Sequence, residues 1–546
     1  MRIFLIIFIF ILGSFSCKTE YFPEIQSKVF RYNESKGISS LDPAFARDQR
    51  LIWPVNQIFN GLVQMDDSLK VLPCIARSWE ISDDGKVYTF YLRKDVFFHD
   101  NSVFEAGKGR LVTAGDFEFS FSRVTDPAVA SPGRWVFERL EKNAGHPGGF
   151  RALNDSVFRI WLSMPFPPFI EILTMPYCCV VPEEAIEKYG IDFARNPVGT
   201  GAFSFKLWRE DEKLILVKNP NYFELDNTGN RLPYLDAVSI TFIKDKQSEF
   251  LEFLKGRVDI LSGVHPAYKD VLLTPSGQLN PDFSGRYVLI SQPYLNTEYL
   301  GILVDSSLEI AAKSPLININ IRKAINFGFD RVKMMKYLRN NIGTPALSGF
   351  IPQGFAVFDQ AEVPGYYFNP DTARYFLKKA GYPDGIGLPP ILITTTSDYL
   401  DISEFIQFEL SKIGIRIEIE VATGASFRNK VANSNLAFFR GSWIADYPDP
   451  ENYLSLFYSP NRSPAGPNYT HFSDPLYDSL YIAASVAKDK VRLKMLYNRM
   501  DRMIIDAAPV VPLFYDRSMR FISQKITGLG SNPMNLLTLK KVNFRN

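Results

Sequence analysis

Between residues 391 and 421 the spacing of apolar residues changes twice, and no single element can follow both changes. Ile391-Leu-Ile-Thr394 is a short apolar run, Ile402, Phe405, Ile406, Leu410 and Ile413 then recur at helical spacing up to Gly414, and Ile415 to Val421 alternates strictly. Strand, helix and strand joined by short links form a βαβ unit, whose two strands lie parallel beneath the crossing helix. This part of the chain is therefore α/β. Upstream, Ile321, Ala324, Ile325, Gly328, Val332 and Met335 fall on one helical face, and Ala373, Phe376, Leu377 and Ala380 on another. Asn369 and Pro370 suit the start of that second helix and Gly381 its end.

The front half reads differently. Trp79-Glu-Ile81 and Val87 to Leu92 flank Asp83-Asp84-Gly85, a tight-turn signal, so they form a hairpin. Phe203 to Leu207 and Leu214 to Val217 flank the polar Arg209 to Glu212 and form a second. Strand-like runs return at the end, as Val510 to Tyr515 and Met519 to Ile522. At roughly 100–200 residues per domain, 546 residues allow two to four domains. A tail that rejoins the front half would set two chain crossings side by side, as a hinge requires.

Arg2, the apolar run Ile3 to Leu12 and the small residues Gly13, Ser14 and Ser16 have the form of a secretory signal, too short to span a bilayer. Ser16-Cys17 resembles the lipobox of bacterial lipoproteins, so Cys17 is the candidate lipid carrier. Residues 1–16 are read as the signal peptide and the protein as exported. With 61 Lys+Arg against 59 Asp+Glu, the net charge of +2 argues against a nucleic-acid binder. Cys74, Cys178 and Cys179 form no CxxC, and the four histidines are never closer than 47 residues, so no metal site is expected. No P-loop, GxGxxG or GxSxG is present, and the sequence is not read as an enzyme. Aromatics at 14% fit a large core or an aromatic-lined pocket.

Several segments, in one order, resemble the peptide/nickel-binding family 5 of bacterial extracytoplasmic solute-binding proteins. They are Ser40-Leu-Asp42-Pro43, Gln57 to Val63, Pro73 to Glu80 with Ser82 to Gly85, Val96 to Asp100, Thr113 to Ser120, Asn196 to Gly201, Ile321 to Ile325 with Asp330-Arg331, and Trp443 to Pro450. Cys74, the insertion-like Glu105 to Arg110, and Val304-Asp305 depart from the pattern. The resemblance implies an α/β, two-lobe periplasmic-binding-protein fold (class II, cluster C type) with an extra subdomain and a two-strand hinge. Lobe 1 would hold residues 17–64, a subdomain 65–188, 189–285 and the return 505–546, and lobe 2 would hold 286–504. It also implies capture of short peptides for the permease and ATPase of an ABC importer, by a monomer without cofactor, metal or nucleic acid. A nickel chelate, an oligosaccharide, haem or a cell-wall peptide in the same fold, and a secreted hydrolase, are the alternatives.

The most informative segment is Phe438 to Tyr447. The resemblance implies that Asp446 meets a ligand's α-amino group and that Arg440 meets its carboxylate, which suits a zwitterion whose burial without partners costs several kcal/mol. Six residues separate the two, a span of at most about 20 Å that one short peptide bridges. Asp446 as a turn cap, Arg440 in an ordinary ion pair and Trp443 as a core aromatic are the plainer readings. Tyr447, Asn296, Thr297 and Tyr299 are further cleft candidates.

Overall fold

The computed structural model describes residues 27–545 apart from 144, 146, 147, 264, 266, 267 and 356. The signal segment 1–16, Cys17 and His146 lie outside the described residues. The principal strands are β1 (Val29–Asn33), β2 (Phe203–Arg209), β3 (Lys213–Lys218), β4 (Ala237–Thr241), β5 (Ile260–Ser262), β6 (Tyr287–Ile302), β7 (Ile391–Thr395), β8 (Ile417–Val421), β9 (Phe438–Ile444) and β10 (Val510–Ser523). With Thr344–Pro345 added beside β10, they make one eleven-stranded sheet in the order β8-β7-β9-β6-β10-β5-β1-β4-β3-β2.

β6 and β10 are its axis. They run antiparallel from Tyr287↔Ser523 to Gly301↔Val510, with the register slipping between Pro293 and Thr297. On one side of that slip, β10 pairs with β5 at Arg520 to Ile522, and on the other, β6 pairs with β9 from Asn296 to Ile302. Sixteen residues at about 3.3 Å each give β6 length enough to serve both halves of the molecule. The two apolar runs at the end of the sequence are thus one strand. Asp516-Arg517-Ser518, which separates them, stays extended because it finds partners across the slip: Asp516 accepts from Asn296, and Arg517 donates to Ser291.

Each half has its own core. In the front half, Phe30, Phe90, Phe121, Phe158, Leu216 and Ile240 belong to one cluster, and Phe121 alone packs its ring against Phe117, Phe137, Phe150 and Phe158. In the back half, Ile321, Ile325, Ile393, Ile406, Leu410 and Phe438 form the α/β core, while Tyr299, Phe350, Tyr453, Tyr477, Tyr497 and Met500 form a second, aromatic one. Much of the aromatic surplus is therefore core.

The βαβ reading holds: β7 and β8 pair in parallel from Ile391↔Ile417 to Thr395↔Val421, and helix Leu400–Ser411 turns Ile402, Ile406 and Leu410 inward. Helix Pro370–Lys379 begins as expected, with the Asn369 side chain accepting from the Thr372 amide. The stripe from Ile321 to Met335 is two helices, Ile319–Phe327 and Arg331–Arg339. Asp330 accepts from the Lys333 amide and so starts the second one, and Val332, turned outward at 52% exposure, leaves the stripe.

The motifs that carried the family resemblance in the front half are fold motifs. Thr113 and Asp116 form a capping box on helix Ala114–Thr125, and Arg110 grips both Asp116 and Glu184. Asp42 is bound by both guanidinium arms of Arg123. A Cβ on Gly199 would stand 2.1 Å from the Ile58 carbonyl oxygen, so only glycine lets this loop touch the end of helix Gln49–Ile58.

Asp501, fully buried in helix Lys490–Ala507, accepts from the Phe350 amide at 2.8 Å, and burial pushes its carboxyl up to about 7. An acid whose folded-state pKa is raised costs stability that grows as pH rises from its unfolded value of about 3.9 to the folded value, and is absent only below the former. Asp501→Asn should therefore gain stability relative to the unchanged protein, by at least about 1–2 kcal/mol between pH 4 and pH 8, measured by urea unfolding at both pH values.

Candidate functional site

β9 has a partner on one side only for most of its length. β6 pairs with it from Phe438 to Ile444, but β7 meets it at the single pair Thr394↔Phe439. From Arg440 onward its outer edge is without a strand partner among the described residues. Side chains alternate across it, placing Arg440, Ser442 and Ile444 on one face and Phe439, Gly441 and Trp443 on the other.

On the first face, Arg440 and Glu298 are diagonal neighbours across the β6–β9 pair, their Nη2 and Oε2 atoms 2.5 Å apart. The guanidinium carbon lies 3.5 Å from the centroid of the Tyr399 ring. Glu298 Oε1 accepts from Asn296 at 3.1 Å, the Ser442 hydroxyl at 2.9 Å and the Tyr399 hydroxyl at 3.3 Å. Asn296 also donates to Asp516 at 3.3 Å, and burial together with the nearby Glu298 charge pushes the Asp516 carboxyl up to about 6.

On the second face, Trp443 is half-buried and its indole donates to Asn452 Oδ1 at 2.8 Å. The same oxygen accepts the Asp446 amide at 3.2 Å. Thr297 is fully buried and donates to the Phe350 carbonyl at 2.9 Å, and Tyr299 packs edge-on against the Phe350 ring. Gly441 lies beneath that tyrosine, where a Cβ would stand 2.4 Å from the Tyr299 ring. Tyr447 is buried with the front-half core, its hydroxyl donating to Glu451 and its ring tilted against Trp135 at 6.2 Å. Thus Thr297, Tyr299 and Tyr447 turn inward, Asn296 and Arg440 serve the Glu298 cluster, and Asp446 and Trp443 keep open surface.

Asp446 lies just past the end of β9. Its side chain is open to solvent, yet the protein around it is dense enough to push its carboxyl up to about 6 by desolvation, against which the Asn452 amide works. Both hold at once where water reaches a carboxylate from one side and protein surrounds the rest of it. Tyr177 from the front half and Tyr453 and Tyr469 from the back half all feel its charge. Nearby, Arg139 of the front half approaches Glu451 of the back half at 3.9 Å. Asp446 therefore faces the seam between the halves.

The family profile described as Bacterial extracellular solute-binding proteins, family 5 Middle, matches residues 70–465. The chain belongs to this family. It is 26% identical over 492 residues to Heme-binding protein A of Haemophilus influenzae, across 87% of this chain and 85% of that one. It is 25% identical over 518 residues to the Glutathione-binding protein GsiB of Salmonella choleraesuis, across 94% of each. Among solved structures it resembles the ABC transporter-associated periplasmic binding protein DppA of Helicobacter pylori in complex with peptide STSA. That likeness has TM-score 0.77 and 26% identity, and covers 95% of this chain and 98% of that one. The family and these relatives are extracytoplasmic binding proteins of two-lobe fold, and in this chain β6 and β10 are the strands shared by the front and back halves of the sheet. Among the described residues no helix is long and apolar enough to cross a membrane.

Within this family 5 protein, the described residues hold no group of three or more His, Cys, Asp or Glu placed for a metal. Cys74, Cys178 and Cys179 are free and buried, and burial pushes the Cys74 thiol up to about 12. His99 is buried, bonded to the Gly201 carbonyl and lowered by burial to about 4. Glu298, Tyr399, Asn452 and Asp516 were not singled out from the sequence. Glu298 did leave a signal, because a lone acid in the apolar strand around Asn296 to Ile302 and a lone base in Phe438 to Ile444 each need a partner. Asn452→Ala would strand two donors, the Trp443 indole and the Asp446 amide. Urea unfolding should then show a loss of about 2–4 kcal/mol, with a red shift of tryptophan emission.

Proposed function

We propose that this protein captures short peptides in the cleft between its lobes and hands them, chemically unchanged, to the permease and ATPase of an ABC importer. The observation that carries the reading is the unpartnered edge of β9 ending at Asp446. An extended peptide pairs with such an edge through its backbone, whatever its side chains, and its ammonium needs a carboxylate in a water-poor place. Glutathione and the peptide STSA, named with two relatives, both carry a free α-ammonium, the kind of group a carboxylate such as Asp446 would meet. Trp443 forms part of the cleft wall. Residues 286–504 would move as one lobe against the remainder about β6 and β10, closing because the closed state binds the peptide more tightly. The protein acts as a monomer without catalysis, exported and held at a membrane through lipid on Cys17.

Isothermal titration calorimetry with peptides found by mass spectrometry of the co-purified ligand tests the anchor. Asp446→Ala should weaken binding by roughly 2–5 kcal/mol, and N-acetylation of the peptide should weaken binding to the unchanged protein as much. Equal affinity for free and acetylated peptides would refute the assignment. The pH dependence has a definite sign. Asp446 is ionised above about 6, so affinity for a cationic amino terminus should fall as pH drops from 7 to 5, by up to about tenfold per unit below 6. Asp446→Asn should bind weakly and without that slope.

A further inference from the structure

The cluster on the first face of β9 decides what the cleft does with the other end of its guest. We propose that Glu298 occupies the place a ligand carboxylate would take on Arg440, so that the cleft selects peptides by their amino terminus and is indifferent to a charge at their carboxyl end. The inference rests on the peptide reading above and specifies its ligand class: peptides whose carboxyl end is free, amidated or extended by further residues.

Arg440 is committed inside the protein. Its Nη2 donates to Glu298 Oε2 at 2.5 Å, its plane lies over Tyr399, and the two paired side chains are only 16% and 4% exposed. Its Nε–H has no partner but is buried and beyond a guest's reach. Glu298 is fixed in turn by Asn296, Ser442 and Tyr399, all with hydrogens to donate. A guest carboxylate that displaced it would leave Glu298 buried with its three uncharged donors but without its only cationic partner.

The charge count points the same way. Glu298, Arg440 and Asp516 sum to −1 when Asp516 is ionised and to zero when it is protonated, so neither state leaves a positive charge for a second anion. The adjoining cavity, about 400 Å³, is mixed in sign: Lys269, Arg339 and Arg517 line it with Glu298, Asp398, Asp401 and Asp516. Arg339 is held by Asp401 at 2.8 Å, Lys269 by Asn340 at 2.9 Å and Arg517 by Ser291 at 3.1 Å. Specificity is a difference between affinities, and the three cations of this lining face four carboxylates, so the free acid and the amide of one peptide meet a surface without net positive charge.

The test uses two equimolar tetrapeptide libraries, one with free carboxyl termini and one amidated, both with free amino termini. Binding to the full-length protein is read by native mass spectrometry, and the best binder is followed by calorimetry as acid and as amide. The expected preference for the acid is within about threefold. Glu298→Gln uncaps Arg440 and should create a preference for the acid of about tenfold or more, which Glu298→Gln with Arg440→Met should abolish. A preference for the acid beyond about threefold in the unchanged protein, lost in Arg440→Met, overturns the proposal and leaves the peptide reading standing. Should Glu298→Gln fail to fold, the acid-to-amide ratio of the unchanged protein decides by itself. Binding of neither library overturns the peptide reading and this proposal together.

Discussion

The antiparallel pairing of β6 with β10 is the constraint on which the rest depends. It is the seam along which both cores attach to one sheet, and its register slips where the polar residues of both strands meet. Asn296 and Glu298 on one strand and Asp516 and Arg517 on the other sit at this slip, where Asn296 bonds both Glu298 and Asp516. Two such strands bend together more easily than two cores deform, since close-packed interiors resist shape change. A molecule built this way has a natural place to open, and a cleft exists for the same reason.

Two charges at the cleft show how alike sequence signals part ways in three dimensions. Asp446 and Arg440 lie six residues apart in one segment, and either could answer one end of a zwitterion. Asp446 lies beyond the end of β9, where no cation pairs with it among the described residues. Arg440 lies within β9, diagonally opposite Glu298, and a strand pair brings such residues together whether or not a ligand is present. Relatives named for haem and glutathione, and one solved with a peptide, share this scaffold.

Much of the fold was legible because local physics writes it plainly. The turn at Gly85, the cap at Asn369 and the period changes from 391 to 421 each reflect a backbone requirement that neighbouring residues meet. The helix break at Gly328 was missed because Val332 happens to continue the apolar spacing, while the Asp330 cap that ends the stripe is polar and invisible to periodicity. Residues of the Thr113 to Ser120 signature and the Gly199 loop proved to be caps and close contacts, which is why they identified a family and said nothing of its guest.

The sequence by itself determined the α/β segment, the flanking hairpins and a chain of family 5 character, because hydrophobic period, turn residues and helix caps act over a few positions. Only the tertiary structure decided that Thr297, Tyr299 and Tyr447 face inward, that Asp446 keeps water in reach, and that Glu298 claims Arg440. Those outcomes turn on which face of which strand meets another more than a hundred residues away, and on how much protein surrounds a charge. Neither can be read from a residue's neighbours along the chain.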